Sequence, residues 1–180
     1  MKTLMTCTTM TILAATILSA QAPATSEAGY TGTVRGRWNA VKKNVAASAA
    51  AMPEASYSYK PTPDVRSFGE LIGHLANEHY MLCSPLKGEK NPQAAVDFEK
   101  TTAKADLVKA INDSIAYCDA AYAAAKDEPK TIAPFSETQR DTPFRVLVLN
   151  VTHDSEHYGN IVTYMRLKGI VPPSSPQPSK

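Results

Sequence analysis

The residues in this chain best suited to chemistry are its four histidines, which occur as two pairs far apart in the sequence. His74 and His79 form one pair, and His153 and His157 form the other. Residues four apart on a helix project from one face, with Cβ atoms about 6 Å apart, so His153 and His157 can share one metal ion. Such spacing also arises by chance, with two partly buried histidines as the outcome. The pair therefore indicates a metal site without establishing one.

A tight site needs a third ligand from a second helix, and the other histidine pair offers two candidates. His74 lies among apolar residues, including Ile72 and Leu75, near the buried stripe of its segment. His79 follows five residues later, which places it about 140° further round a helix. The two rings cannot face the same point, and His74 is the better candidate.

Four helical segments are predicted to position these histidines, and no convincing strand is found. Apolar residues recur at intervals of three and four along each segment, and capping residues and prolines mark the ends. Four such helices with connections of ten or more residues predict an all-α four-helix bundle. The first helix covers residues 33–52, the second runs from a Ser67–Glu70 capping box until Pro85 and Gly88, the third covers 97–125, and the fourth covers 143–168, with Thr142 as its N-cap and Gly169 after its end.

The termini and the charge define the rest of the chain. Residues 1–20 begin with a lysine, continue as an uncharged apolar run and end in small residues, which predicts a signal peptide and a periplasmic or secreted protein. This run is too Thr-rich and too short for a membrane span, and no later segment is apolar enough for one. The other expected divisions are a flexible N-terminus (21–32), the bundle (33–171) and a disordered tail (172–180). The 19 basic and 17 acidic residues nearly cancel, which argues against a nucleic-acid partner.

Two cysteines, Cys83 and Cys118, remain after removal of the signal peptide. In an oxidising compartment such a pair can form a disulfide, and two buried free thiols are the alternative. The residues alone leave both open.

Two stretches of the sequence resemble the DinB/YfiT-like metalloenzyme superfamily. The fourth helix and the segment after it, THDSEHYGNI at 152–161 and YMRLKGIVPP at 164–173, resemble the last helix of that family, and FGELIGHLA at 68–76 resembles its second. The family usually has Gln where this chain has Asn160. The resemblance implies an up-down-down-up bundle with one divalent metal, zinc or nickel, held by His74, His153 and His157. If helices two and three run parallel as it implies, Cys83 and Cys118 lie at the same end of the bundle and can form a disulfide.

Three protein ligands would leave a coordination position open to water or substrate, as in catalytic sites. The resemblance therefore suggests a metal-dependent hydrolase or a thiol S-transferase acting on a small molecule. Export weakens the second, because reduced small thiols are mainly cytoplasmic. The alternative is a non-catalytic periplasmic module that binds metal or a small ligand. Many bundles of this type form homodimers, but no residue here indicates one.

Several polar residues near the histidines have two interpretations. Glu78, four residues after His74, is the candidate catalytic residue, as a proton carrier or a partner of a ligand, and otherwise a solvated side chain. Asn150 and Asn160 either line a pocket or lie on the helix surface. Nothing in the sequence resembles a Ser–His–Asp arrangement.

Overall fold

The computed structural model describes residues 29–128, 131–132 and 141–176 of the chain. These residues form four helices, α1 (Tyr30–Ala51), α2 (Phe68–Lys87), α3 (Lys104–Ala124) and α4 (Pro143–Leu167), with 3-10 turns at Glu54–Ser56 and Phe98–Lys100. Within them there is no strand, only an isolated bridge between Ile132 and Asp141. The predicted all-helical fold with four helices is confirmed. The predicted signal peptide and residues 21–28 lie outside the described residues.

The capping signals of α2 and α4 are present as predicted. The Ser67 hydroxyl accepts a hydrogen bond from the Glu70 backbone N–H, and the Glu70 carboxylate accepts one from the Ser67 N–H. The Thr142 hydroxyl accepts from the Arg145 N–H, and Pro143 is the first residue of α4. These caps determine where the two histidine-bearing helices begin, because they satisfy N–H groups that have no partner within the helix.

The end of α2 differs from the prediction. Pro85 lies inside its last turn, and the helix continues to Lys87 before Gly88 adopts a left-handed conformation with φ 72°. A proline this close to the end removes only one backbone hydrogen bond, to the carbonyl four residues earlier, so the helix continues past it.

The start of α3 was predicted seven residues too early. Asp97 does not cap α3: its carboxylate accepts from the Glu99 N–H and caps the Phe98–Lys100 turn instead. The side chain of Asn77 on α2 accepts from the Phe98 N–H and holds this turn against α2. Phe98 therefore belongs to the connection, not to the apolar stripe of α3.

Both terminal segments of the bundle contact α4. Helix α1 begins at Tyr30, three residues early, and the Tyr30 ring packs against Phe144 at the start of α4 with centroids 5.6 Å apart. The segment after Gly169 is irregular, as predicted, yet Ser174 exchanges hydrogen bonds with the Tyr158 hydroxyl. Pairing with α4 therefore holds the first residues of the predicted disordered tail.

The core lies between all four helices and centres on Trp38. This ring is fully buried, stacks on Tyr122 at 4.7 Å and donates its indole N–H to Asp119 at 2.7 Å. Apolar side chains from every helix surround it, among them Val45, Leu75, Ile111 and Leu147.

Contacts at both ends show how α2 lies against α3. Near their first turns, a Cβ atom at Gly69 would lie 3.2 Å from the Leu107 side chain. Near their last turns, Cys83 and Cys118 form a disulfide with Cα atoms 5.3 Å apart, and both are fully buried. Of the two alternatives for these cysteines, the structure contains the disulfide. Among the described helices, none is long and apolar enough to cross a membrane.

Candidate metal centre

Three of the four histidines meet at one point between α2 and α4. The Nε2 atom of His153 lies 3.2 Å from that of His74 and 3.1 Å from that of His157. His157 is buried, and the other two are half-buried. Among the described residues, they form a group of ligand atoms all within 4.8 Å of one another. We call these three residues the open cluster.

The surroundings favour the neutral, metal-binding form of two histidines in the open cluster, His153 and His157. Burial, together with the neighbouring histidines, lowers the pKa of His153 to about 3. Burial also lowers the pKa of His157, with a further contribution from His74. Three imidazoles this close cannot all be protonated, because like charges at this separation repel strongly. The Nε2 lone pairs of His153 and His157 are therefore available as ligands at neutral pH.

The geometry of the open cluster fits a divalent transition metal. Two nitrogen ligands about 2.0–2.1 Å from a tetrahedral zinc ion lie roughly 3.3–3.4 Å apart, and the two measured Nε2–Nε2 distances are close to this. The Nδ1 atoms of His153 and His157 are buried without a hydrogen-bond partner, so neither ring satisfies itself within the protein. Three imidazole nitrogens suit zinc, nickel, iron or copper alike.

Glu99 contacts the open cluster at the Nδ1 atom of His74, on the side of that ring away from the other two histidines. Its Oε1 atom accepts a hydrogen bond from His74 Nδ1 at 2.8 Å, and its Oε2 atom accepts one from Arg66 Nε at 2.9 Å. Although burial acts in the opposite direction, the bonds from Arg66 and His74 lower the pKa of Glu99. An ionised carboxylate keeps the proton of His74 on Nδ1, and this leaves Nε2 as a lone pair directed at the other two rings.

Glu99 was missed in the sequence because it lies in a connection, 25 residues from its histidine. One signal was present in Gly73, the neighbour of His74. A Cβ atom there would lie 2.3 Å from the carbonyl oxygen of Phe98. The glycine thus lets the Phe98–Lys100 turn approach α2 closely enough for Glu99 to contact His74.

A cavity of about 690 Å³ opens onto the cluster at His157. Its wall includes the connection between α1 and α2, through Lys60 and Arg66, and the end of α4, through Asn160 and Tyr164. The Tyr164 hydroxyl donates to the Arg66 carbonyl at 2.6 Å and ties the two walls together. A small molecule can reach the cluster through this cavity at His157.

The polar residues singled out in the sequence fall in different places. Asn160 lines the cavity, whereas Asn150 is fully buried and its side-chain oxygen accepts from the Tyr122 hydroxyl at 3.0 Å. Glu78 is half-buried, and burial raises its pKa although His74 and His79 oppose the shift. It is not among the residues that line the cavity, so its role as a proton carrier stays a prediction.

The fourth histidine belongs to a separate, fully enclosed group that we call the closed cluster: His79, Ser114 and Asp154. His79 Nε2 lies 3.0 Å from an Asp154 carboxylate oxygen, and Nδ1 lies 2.9 Å from the Ser114 hydroxyl. No Ser–His–Asp arrangement was predicted from the sequence, and the structure assembles one from three helices. All three side chains have zero exposure, so no substrate can reach the hydroxyl and the cluster is part of the core.

The comparisons with known proteins agree with this fold. A family model of the DinB superfamily matches residues 37–161, and the chain belongs to that superfamily. The resemblance found in the sequence is therefore confirmed. No curated protein matches the sequence significantly.

Two solved structures share the architecture. A DinB-like protein from Bacillus cereus ATCC 10987 superimposes with a TM-score of 0.66 at 15% identity, covering 79% of this chain and 95% of its own. A conserved protein from Enterococcus faecalis does so with a TM-score of 0.62 at 17% identity, covering 76% and 95%. At these identities the likeness shows the fold alone.

Proposed function

We propose that this chain is an exported metal-dependent enzyme, most simply a hydrolase, that binds one zinc or nickel ion through His74, His153 and His157. The observation that carries the proposal is the convergence of three Nε2 atoms, at 3.2 and 3.1 Å, beneath an accessible cavity. A site that served only to stabilise the fold would be closed by a fourth protein ligand. Among the described residues, no fourth His, Cys, Asp or Glu joins the group.

Each residue of the site has a proposed task. A divalent ion held there supplies Lewis-acid activation of a substrate oxygen and of water. Glu99 fixes the orientation of His74, and the cavity admits and positions the substrate. Glu78 is half-buried, burial raises its pKa, and it is the candidate to accept and return a proton.

The helix topology and the export of the protein are part of the same proposal. An up-down-down-up bundle is supported by contacts of α2 with α3 at matching ends, through Gly69 and Cys83, and by the packing of Tyr30 against the start of α4. Export to the periplasm or beyond is supported by the Cys83–Cys118 disulfide, since disulfides persist mainly in oxidising compartments. An oxidising compartment favours hydrolysis over transfer of a small reduced thiol.

Metal analysis of the tag-free protein tests the proposal first. After supplementation with zinc or nickel and removal of loose metal, we expect one equivalent per chain. A panel of small ester, amide and thiol-transfer substrates then tests catalysis. Turnover should require metal and fall in Glu78→Gln, but not in Glu54→Gln, whose side chain is exposed and does not line the cavity. Metal below stoichiometry would refute the site, and stoichiometric metal without turnover would favour the non-catalytic module.

A further inference from the structure

The charges lining the cavity indicate which kind of ligand it accepts. Lys60 pairs with Glu70 at 3.0 Å, and Arg66 pairs with Glu99 at 2.9 Å. Of the ionised groups lining the cavity, Asp64 alone has no ion-pair partner among the described residues. With one divalent ion on the open cluster, the cavity therefore becomes net positive.

Arg66 is the cationic group best placed to contact a ligand. Its Nε bond to Glu99 uses one edge of the guanidinium, and its two Nη groups make no hydrogen bond within the described part of the chain. The side chain is 42% exposed and lines the cavity. A guanidinium fixed through Nε presents its Nη donors in a rigid fork, which matches the two oxygens of an oxyanion.

Arg66 is also tied to the open cluster by a short bridge. Glu99 contacts Arg66 with one carboxylate oxygen and His74 with the other. One carboxylate therefore separates the guanidinium from a metal ligand. Asn160, three residues after His157, also lines the cavity; its amide has no hydrogen bond among the described residues and offers a second donor for the same ligand.

We infer that the cavity binds a small molecule with an oxyanion at one end, held by Arg66 and Asn160, and a metal-binding oxygen at the other, directed at the open cluster. This inference rests on the proposed function, because the second end requires the metal. It defines the substrate class as short-chain carboxylates or related oxyanions, rather than neutral esters or amides.

Matched pairs of hydroxamates provide the test. The hydroxamate group binds the metal, and the far end is either a carboxylate (succinic or glutaric monohydroxamate) or the corresponding neutral amide. By calorimetry on the zinc-loaded protein, we expect at least one acid to bind about tenfold or more tightly than its amide, as hydrogen bonds to a charged group imply. Arg66→Gln should abolish this preference and leave the affinity of the amide unchanged.

Arg145→Gln is the matched control. Arg145 lies in the first turn of α4, its side chain is 77% exposed and it pairs with Asp141, at about 18 Å along the helix from His157. The preference for the acid should persist in this variant. Equal affinities for acid and amide in a stoichiometrically metal-loaded wild type would overturn the inference alone. A wild type that fails to bind one equivalent of metal would overturn the proposed function and this inference with it.

If Arg66→Gln also loses metal, because Glu99 has lost its partner, Arg66→Lys replaces it. Lysine keeps the charge without the fork, so the preference for the acid should shrink but remain. An undiminished preference in Arg66→Lys, together with the same preference in Asn160→Ala, would assign the oxyanion to another part of the cavity and overturn the inference.

Discussion

The open and closed clusters each combine a histidine of α2 with side chains of α4, and they reach opposite outcomes. In the closed cluster, both ring nitrogens of His79 have partners within the core, on Ser114 and Asp154. In the open cluster, the Nε2 atoms lie within hydrogen-bond distance of one another. The buried Nδ1 atoms of His153 and His157 have no hydrogen-bond partner. One set of rings satisfies itself within the protein, and the other set does not.

The placement of carboxylates explains this difference. Asp154 contacts His79 directly with both oxygens, at 3.0 and 3.1 Å, so the pair is closed. Glu99 contacts His74 on the side away from the other histidines and leaves Nε2 directed at them. Asp154 occupies Nε2 of His79, so that nitrogen has no lone pair free for a metal. Glu99 bonds to Nδ1 of His74, so the Nε2 of His74 remains free to act as a ligand. The comparison predicts that mutations in the two clusters change different properties, stability in one and metal affinity in the other.

The largest expected effect comes from breaking the closed cluster. His79→Ala leaves the fully buried Asp154 carboxylate without its histidine partner. Such a loss costs about 3–5 kcal/mol, measurable by urea unfolding, and the folded fraction should still bind one equivalent of metal. Adding Asp154→Asn should restore part of the stability, because the unpaired charge is removed. If the free energy of unfolding of His79→Ala alone is within about 1 kcal/mol of wild type, the His79–Asp154 pair is not needed for folding.

The disulfide is expected to make the next largest contribution to the free energy of unfolding, and it lies beside the closed cluster. Cys118 Sγ lies 3.3 Å from the backbone oxygen of His79, and the bond spans 35 residues. Loop-closure entropy for that length corresponds to about 3–4 kcal/mol. Replacing both cysteines with alanine should lower the free energy of unfolding by this amount and leave metal affinity unchanged. Detection of two free thiols by alkylation of the unreduced protein would contradict the bond.

Removing His153, the central histidine of the open cluster, should lower metal affinity and leave the stability of the metal-free protein almost unchanged. His153→Ala is expected to weaken zinc or nickel binding more than about 100-fold, beyond what the loss of an outer partner costs. The stability of the metal-free protein should change little, because the lost packing is offset by removal of a buried nitrogen without a partner. Titration with metal and urea unfolding of the stripped protein measure the two quantities. Undiminished metal affinity would exclude His153 as a ligand.

The smallest effect of this series concerns the carboxylate behind the open cluster. Glu99→Gln keeps the shape but removes the charge that accepts from His74 Nδ1. Metal affinity should fall by about 10–100-fold without a change in stoichiometry. Glu54→Gln, an exposed glutamate in the other 3-10 turn, serves as the control. If both variants bind metal as wild type does, Glu99 does not act on His74.

Much of the fold was predictable because it depends on local signals. The capping box at Ser67, the Thr142–Pro143 start and Gly88 beyond the end of α2 are short-range patterns whose physics acts within one helical turn. The errors occurred where tertiary contacts decide a boundary. Asp97 has the character of a helix cap, but the contact of Asn77 with Phe98 holds the following residues as a separate turn.

The residues of the candidate site also divide into those that local sequence patterns predicted and those that depend on tertiary packing. His74, rather than His79, was predicted to face the other pair, because helix geometry alone separates their directions by more than a quarter turn, and the structure places His74 there. Glu99 and Arg66 were not predicted, since both come from connections, and the Glu99 turn takes its path from a close approach to Gly73. The meeting of Ser114 with His79 depends on how α3 packs against α2, so it was not predicted either.

The sequence by itself therefore determined the class of fold, the helix faces and the residues able to hold a metal, because periodicity, capping and ligand spacing are local properties of the chain. Only the tertiary structure showed that Ser114 and Asp154 enclose His79, whereas the rings of the other three histidines stay open. That outcome depends on where carboxylates from distant segments meet each ring, and no local pattern encodes these meetings. The open cluster, the cavity above it and the glutamate behind it exist only once α2, α4 and the Phe98–Lys100 turn are packed together.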